Sequence, residues 1–158
     1  MKPNIGISED NLKGVNQLLN VVLANQHVLY IKTRKYHWNV SGPNFKEYHE
    51  FFEEQYTMLE QKIDEVAERI RTLGGTPAAT MAEFIEVATL EEDRSSKNTS
   101  STKEMMGALL KDHEQTIREL REDIEKCEEY EDVGTADFLT ALMEDHEKMA
   151  WMLRKYIE

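Results

Sequence analysis

The chain has 158 residues, 31 Asp and Glu against 19 Lys and Arg, a net charge of −12 and one cysteine, Cys127. That length suits a single domain, residues 1–158, with a core of its own. The acidity argues against binding a phosphate backbone and suits attraction of cations, a lone cysteine excludes an intrachain disulfide, and no window approaches the ~20 apolar residues of a membrane span.

Hydrophobic content of 40% with 32% charged residues fits long amphipathic helices with wet outer faces. The N-terminus, MKPNIGISED, has no apolar run, so no signal peptide is expected and the default compartment is the cytoplasm. Ser8 is placed to cap a first helix, with Glu9 and Asp10 in its first turn. Val15, Leu18, Val22, Leu29, Thr33, Tyr36 and Val40 then keep helical spacing until Ser41-Gly42-Pro43 breaks it. His37 lies one residue past Tyr36, at the edge of that stripe, with Trp38 beside it.

Asn44 and Glu47 suggest a capping box for the second helix. Tyr48, Phe52, Tyr56, Leu59, Ile63, Val66, Ile70 and Leu73 form its stripe, and Gly74-Gly75 with Pro77 end it. His49, Glu53, Glu60, Asp64 and Glu68 fall along one flank, between the buried face and water. A metal ligand belongs on such a border, because it needs fixed geometry and access. Asp64 and Glu68 are at i, i+4, so their carboxylates can converge on one ion; His49 and Glu53 repeat the spacing. Glu60 and Glu65 read as solvated charge.

Met81, Phe84, Ile85 and Ala88 describe a helix of about two turns, too short to stand unpacked. Glu91 to Ser100 is polar and reads as a surface loop. Ser101 and Glu104 form a capping box for a long third helix with the stripe Met105, Leu109, His113, Ile117, Leu120, Ile124, Cys127. Glu128 to Thr135 reads as an acidic connection. Phe138, Leu142, His146, Met149, Leu153 and Tyr156 make the fourth stripe, where Trp151 reads as packing. Four long amphipathic helices and one short connector make an all-α chain of the four-helix-bundle class.

Reach then constrains the site. His49 and Asp64 are fifteen residues apart, roughly 22 Å along a helix at about 1.5 Å per residue. Metal–ligand bonds are about 2 Å long, so the two cannot hold one ion. An antiparallel hairpin brings His37 near His49. One chain therefore offers two half-sites, and a two-fold dimer would join them twice.

His37 in Tyr-His-Trp, the turn Ser-Gly-Pro-Asn-Phe, His49, and Asp64-Glu-Val-Ala-Glu68-Arg followed by Leu-Gly-Gly resemble the Dps family, dodecameric miniferritins named for DNA protection in starved cells. The helix order extends the resemblance over nearly the whole chain. It implies a ferritin-like four-helix bundle with the short helix between its second and third members, helping to form the dimer. It implies a ferroxidase centre at the dimer interface, with His37 and His49 from one subunit and Asp64 and Glu68 from its partner. Glu53 falls where many members have Asp, and stands for a second metal position. Trp38 neighbours the centre, and Asp132 and Asp137 correspond to acidic residues lining a three-fold pore for Fe²⁺; simple capping of the last helix explains them equally well.

The function so implied is oxidation of Fe(II), preferably with hydrogen peroxide and otherwise with dioxygen, and storage of Fe(III) mineral in a hollow dodecamer. Zinc would compete for the same ligands. Two other readings stay open: a nucleoid-compacting DNA-binding protein, and a structural oligomer whose histidines only pack. The first is weakened by the charge and by an N-terminal segment whose basic residue is Lys2; weak or no DNA binding is expected. An intrachain di-iron site would need Glu three residues before His113 and His146, where Leu110 and Met143 stand instead. Those two histidines therefore read as hydrogen-bonded core residues, Cys127 as a small core residue, and His27 as exposed or structural.

Overall fold

The computed structural model describes residues 2–95 and 100–158. Five helices follow one another: α1 (Glu9–Asn39), α2 (Phe45–Thr72), the short α3 (Met81–Val87), α4 (Thr102–Glu129) and α5 (Val133–Ile157). Ser8 caps α1 by accepting from the Asn11 amide. Val40 is extended before proline-bearing Ser41-Gly42-Pro43, and Gly42 turns the chain at φ +117°, a conformation open to a residue without Cβ. α2 therefore returns antiparallel along α1, as the pairs His37–His49 and Tyr30–Tyr56 show.

The end of α2 is a Schellman turn. The Gly75 amide donates to Ile70 O at 2.9 Å, the Gly74 amide to Arg71 O at 3.0 Å, and Gly74 takes φ +78°. Lys32–Asp112 and Asn25–Glu119 set α4 antiparallel to α1, while Lys62–Asp145 and Arg69–Thr135 set α5 antiparallel to α2. α2 and α4 thus run the same way, and the chain between them must travel the length of the bundle. α3 sits in that crossover. Phe84 stacks on the His27 ring at 3.7 Å, and Asn25 Oδ1 accepts from the Thr89 and Leu90 amides. His27 is thus a packing residue of the crossover, half-buried.

Three local expectations change. The Asn44–Glu47 capping box is absent: Asn44 is drawn into the turn that the Phe45 amide closes on Gly42 O, and its amide faces the Tyr48 hydroxyl instead. α3 has a further box, Thr80 with Glu83. Its stripe is only half covered, with Phe84 buried but Met81 63% and Ile85 40% exposed. The connection expected over Glu128–Thr135 shrinks to Tyr130–Asp132. Glu128 and Glu129 stay helical, Glu131 turns at φ +61°, and the Asp132 amide donates back to Cys127 O. The capping box Ser101–Glu104 forms as expected. The loop expected over Glu91–Ser100 falls partly outside the described residues. No helix among the described residues is long and apolar enough to cross a membrane.

Two apolar clusters fill the bundle. One gathers Leu19, Leu23, Val66, Ile70, Leu120 and Leu139; the other Leu29, Phe52, Leu59, Met105, Leu109 and Leu153. Between them lies a polar layer. His113 Nδ1 and His146 Nδ1 are 2.8 Å apart, and His146 Nε2 meets the Gln26 amide group. Both histidines are fully buried. Cys127 is buried and free, and burial pushes its thiol up to about 12.

Burial also depresses both core histidines, His113 well below the ordinary value and His146 to about 4. The unfolded chain then binds protons more readily than the folded one. Their contribution to stability is complete above the unfolded value of 6.5 and is lost as pH falls through the window down to about 4. For His146 alone the loss is on the order of 3 kcal/mol. Urea midpoints taken from pH 7.5 to 4.5 should fall across that window, and His146→Gln should flatten part of the fall. A midpoint independent of pH down to 4.5 would contradict the buried neutral pair.

A candidate metal centre at the α1–α2 turn

The turn at Gly42 places the last turn of α1 beside the first turns of α2. His37 Nδ1 lies 2.8 Å from His49 O, and His49 Nδ1 lies 2.9 Å from His37 O. A carbonyl oxygen only accepts, so each Nδ1 carries the proton and donates. In the neutral imidazole that leaves the lone pair on Nε2. The rings stack at 3.7 Å and 22°. His37 is buried and His49 half-buried, so the pair is held firmly yet stays reachable from outside.

Glu53 completes the group within one chain. One ligand atom from each of His37, His49 and Glu53 lies within 4.8 Å of the other two. Among the described residues this is the one cluster of His, Cys, Asp or Glu with that property. Glu53 is one helical turn beyond His49, which is why its carboxylate falls beside the imidazole. Two imidazole nitrogens and a carboxylate oxygen form a mixed donor set suited to Fe²⁺ or Zn²⁺, with open positions left.

Asp64 and Glu68 lie elsewhere. Both are exposed on α2, without an ion pair among the described residues. Asp64 is eleven residues beyond Glu53, roughly 16 Å along the helix. One chain therefore brings together His37, His49 and Glu53 and leaves Asp64 and Glu68 apart. Trp38 is 62% exposed, and its described contact is the Arg34 guanidinium, 5.3 Å from the ring. Asp132 caps α5, accepting from the Thr135 amide, and pairs with Arg69 at 3.1 Å; it is buried. Asp137 is exposed one turn further on.

Further side chains border the centre, among them Tyr56 of the α2 stripe. Phe45 lies 5.0 Å from the His49 ring. Tyr56 meets the His37 ring edge-on at 5.1 Å. Its phenol is raised, first by burial and then by the Glu53 charge. Arg34 lies over Tyr56, Tyr30 and Trp38. The available signal was spacing: Tyr56 is three residues past Glu53, and Arg34 three before His37.

Comparison with known proteins agrees with this architecture. Residues 16–158 match the ferritin-like domain family. The chain is 48% identical over 156 residues to an uncharacterized low temperature-induced protein of Nostoc sp., covering 98% of this chain and 86% of that one. It is 39% identical over 145 residues to DNA protection during starvation protein 2 of Bacillus anthracis, covering 92% and 97%. The crystal structure of a Dps protein from Vibrio cholerae O1, described as a member of a broad superfamily of ferritin-like diiron-carboxylate proteins, superposes with a TM-score of 0.92 at 33% identity, covering 99% and 97%. A bundle of this topology, matched over nearly its full length by such relatives, belongs to the Dps family of ferritin-like proteins.

Proposed function

We propose that this chain is an iron-sequestering ferroxidase that takes Fe(II) as substrate at a site shared between two subunits. The observation that carries the reading is the reciprocal histidine pair, each Nδ1 engaged by the other's carbonyl, with the Glu53 carboxylate at hand. Asp64 and Glu68 of a second copy complete the donor set. Their own exposure and lack of an ion-pair partner among the described residues support this, as does the exposed apolar face of Ile31, Met81 and Ile85 on α1 and α3, which a second copy would cover. Membership of a family that includes a diiron-carboxylate relative supports iron over other cations. Zn²⁺ competes for the same ligands.

At the filled site each of a pair of ferrous ions gives up one electron. Hydrogen peroxide takes up that electron pair with two protons from solvent and leaves as two waters, so no hydroxyl radical is released. Neutral imidazoles accept Fe²⁺ without a proton to displace, and the anionic carboxylates favour the ferric product. Ferric product collects as mineral inside a hollow dodecamer, which Fe²⁺ enters past exposed acidic side chains such as Asp137. Asp132 shapes that entrance as cap and ion-pair partner rather than as a lining group. Attraction of cations by a chain of −12 charge serves the same end, and it leaves DNA binding weak. The cytoplasm is the compartment this chemistry suits.

The test is the choice of oxidant. Assembled protein given Fe²⁺ anaerobically and then peroxide should oxidise it at least ~10-fold faster than with dioxygen, without spin-trapped hydroxyl radical. Equal rates, or trapped radical at the level of free iron, would refute the peroxide assignment. Absence of any oxidation above free iron would refute the ferroxidase.

A further inference from the structure

We propose that the polar layer between the two apolar clusters is an acid-sensitive site that takes up one proton per subunit, held on His146 and secured by the side-chain carbonyl of Gln26. The layer shares no residue with the His37–His49–Glu53 centre. His113 of α4 and His146 of α5 are fully buried, with ring centroids 5.0 Å apart and Nδ1 facing Nδ1 at 2.8 Å. Gln26 of α1 is fully buried too. It brings both ends of its carboxamide to His146 Nε2, the amide nitrogen at 2.9 Å and the carbonyl oxygen at 3.1 Å. His113 Nε2 is buried with no hydrogen-bond partner among the described residues.

Donors and acceptors limit where protons can sit in this layer. A 2.8 Å contact between two ring nitrogens needs one hydrogen, so one Nδ1 donates and the other accepts. With both rings neutral there are two arrangements. In one, His146 donates from Nδ1, and its Nε2 accepts from the Gln26 amide nitrogen. In the other, His113 donates from Nδ1, and His146 Nε2 donates to the Gln26 carbonyl. Gln26 serves either by turning its amide over. One added proton removes the choice. His146 then donates from both nitrogens, to His113 Nδ1 and to the Gln26 carbonyl, and every N–H of the cation has an acceptor. The same charge on His113 would leave a cationic N–H unpartnered in the core, which costs more than a neutral one. A second proton would set two Nδ1–H groups against each other at 2.8 Å, so the pair stops at one.

The charged side chains beside the layer come as ion pairs. Lys62 of α2 meets Asp145, the neighbour of His146, at 2.9 Å, and also Glu65. Lys32 of α1 meets Asp112, the neighbour of His113. Asp145 favours a cation on His146 and Lys62 opposes it. Burial opposes charge on both rings, so the site is unprotonated at neutral pH and fills on the acid side, with Gln26 setting how far.

The test reads the ring nitrogens directly, in magic-angle-spinning nitrogen spectra of sedimented protein labelled in histidine and glutamine, from neutral pH down to the onset of unfolding. Transfer to a glutamine carboxamide identifies His146, the one histidine with that contact among the described hydrogen bonds. His146 should pass from one bare and one protonated nitrogen to two protonated nitrogens. The ring opposite should keep a bare nitrogen for as long as the protein stays folded. Gln26→Leu should lower the proton affinity of His146 by at least ~10-fold, the loss of an acceptor to a charged donor. Gln26→Glu keeps the size and supplies a fixed acceptor, so it should raise that affinity by at least ~10-fold. A His146 still neutral at the onset of unfolding, a cation on His113 instead, or two cations in folded protein would each overturn the proposal. So would an unchanged His146 transition in Gln26→Glu, the variant that decides the matter if Gln26→Leu does not fold.

Discussion

Alanine at His37 or at His49 is expected to lower the initial rate of Fe²⁺ oxidation by more than ~100-fold, beyond the usual cost of losing an outer-shell partner. Each substitution removes two things. The Nε2 atom disappears from the cluster, and so does the Nδ1 bond to the opposite carbonyl. The second loss is structural and small, a net hydrogen bond being worth about 0.5–1.5 kcal/mol. The unfolding midpoint should therefore drop modestly while the rate collapses. Stopped-flow oxidation on protein confirmed as assembled by light scattering separates the two effects. Wild-type rates in correctly assembled variants would show that the histidines only pack.

Mixing two dead variants should bring activity back. Subunits carrying His37→Ala/His49→Ala keep Asp64 and Glu68, and subunits carrying Asp64→Ala/Glu68→Ala keep both histidines. If each site draws its imidazoles from one chain and these two carboxylates from another, a mixed dimer holds one intact site and one stripped site. Random co-assembly of equal amounts after denaturation and refolding should then restore about one quarter of the wild-type rate, by simple counting over isologous pairs. Separate refolding followed by mixing should restore nothing if subunits do not exchange. No recovery in verified mixed oligomers would sink the shared site, and full activity in Asp64→Ala/Glu68→Ala protein alone would mean that His37, His49 and Glu53 act without the second carboxylate pair. The distance along α2 makes the outcome decisive, because roughly 22 Å between His49 and Asp64 cannot be closed within one straight helix.

Much of this was legible without coordinates because helices write their buried faces at a fixed period. Leu18, Val22, Leu29 and Tyr36 on α1, or Leu109 and Leu120 on α4, are buried where the spacing put them. The Gly74-Gly75 stop and the Ser101–Glu104 box are local devices, satisfied by neighbours a few residues away, and they formed as read. Local signals failed where a distant group competed. Asn44 lost its capping role to the turn closed on Gly42. The acidic connection shrank to Tyr130–Asp132, where buried Asp132 caps α5 and pairs with Arg69, 63 residues away.

Sequence alone determined the helical order, the break that folds α1 against α2, and the impossibility of one ion spanning His49 and Asp64, since all three follow from residue identity and the rise of a helix. Tertiary structure decided which nitrogen of each histidine is protonated, that Glu53 joins the pair, and that Tyr56 and Arg34 stand behind it. It also decided that His113 and His146 bond to each other across the core. Those outcomes depend on side chains from different helices arriving at one point, and periodicity within a single helix carries no information about where its neighbour's atoms lie.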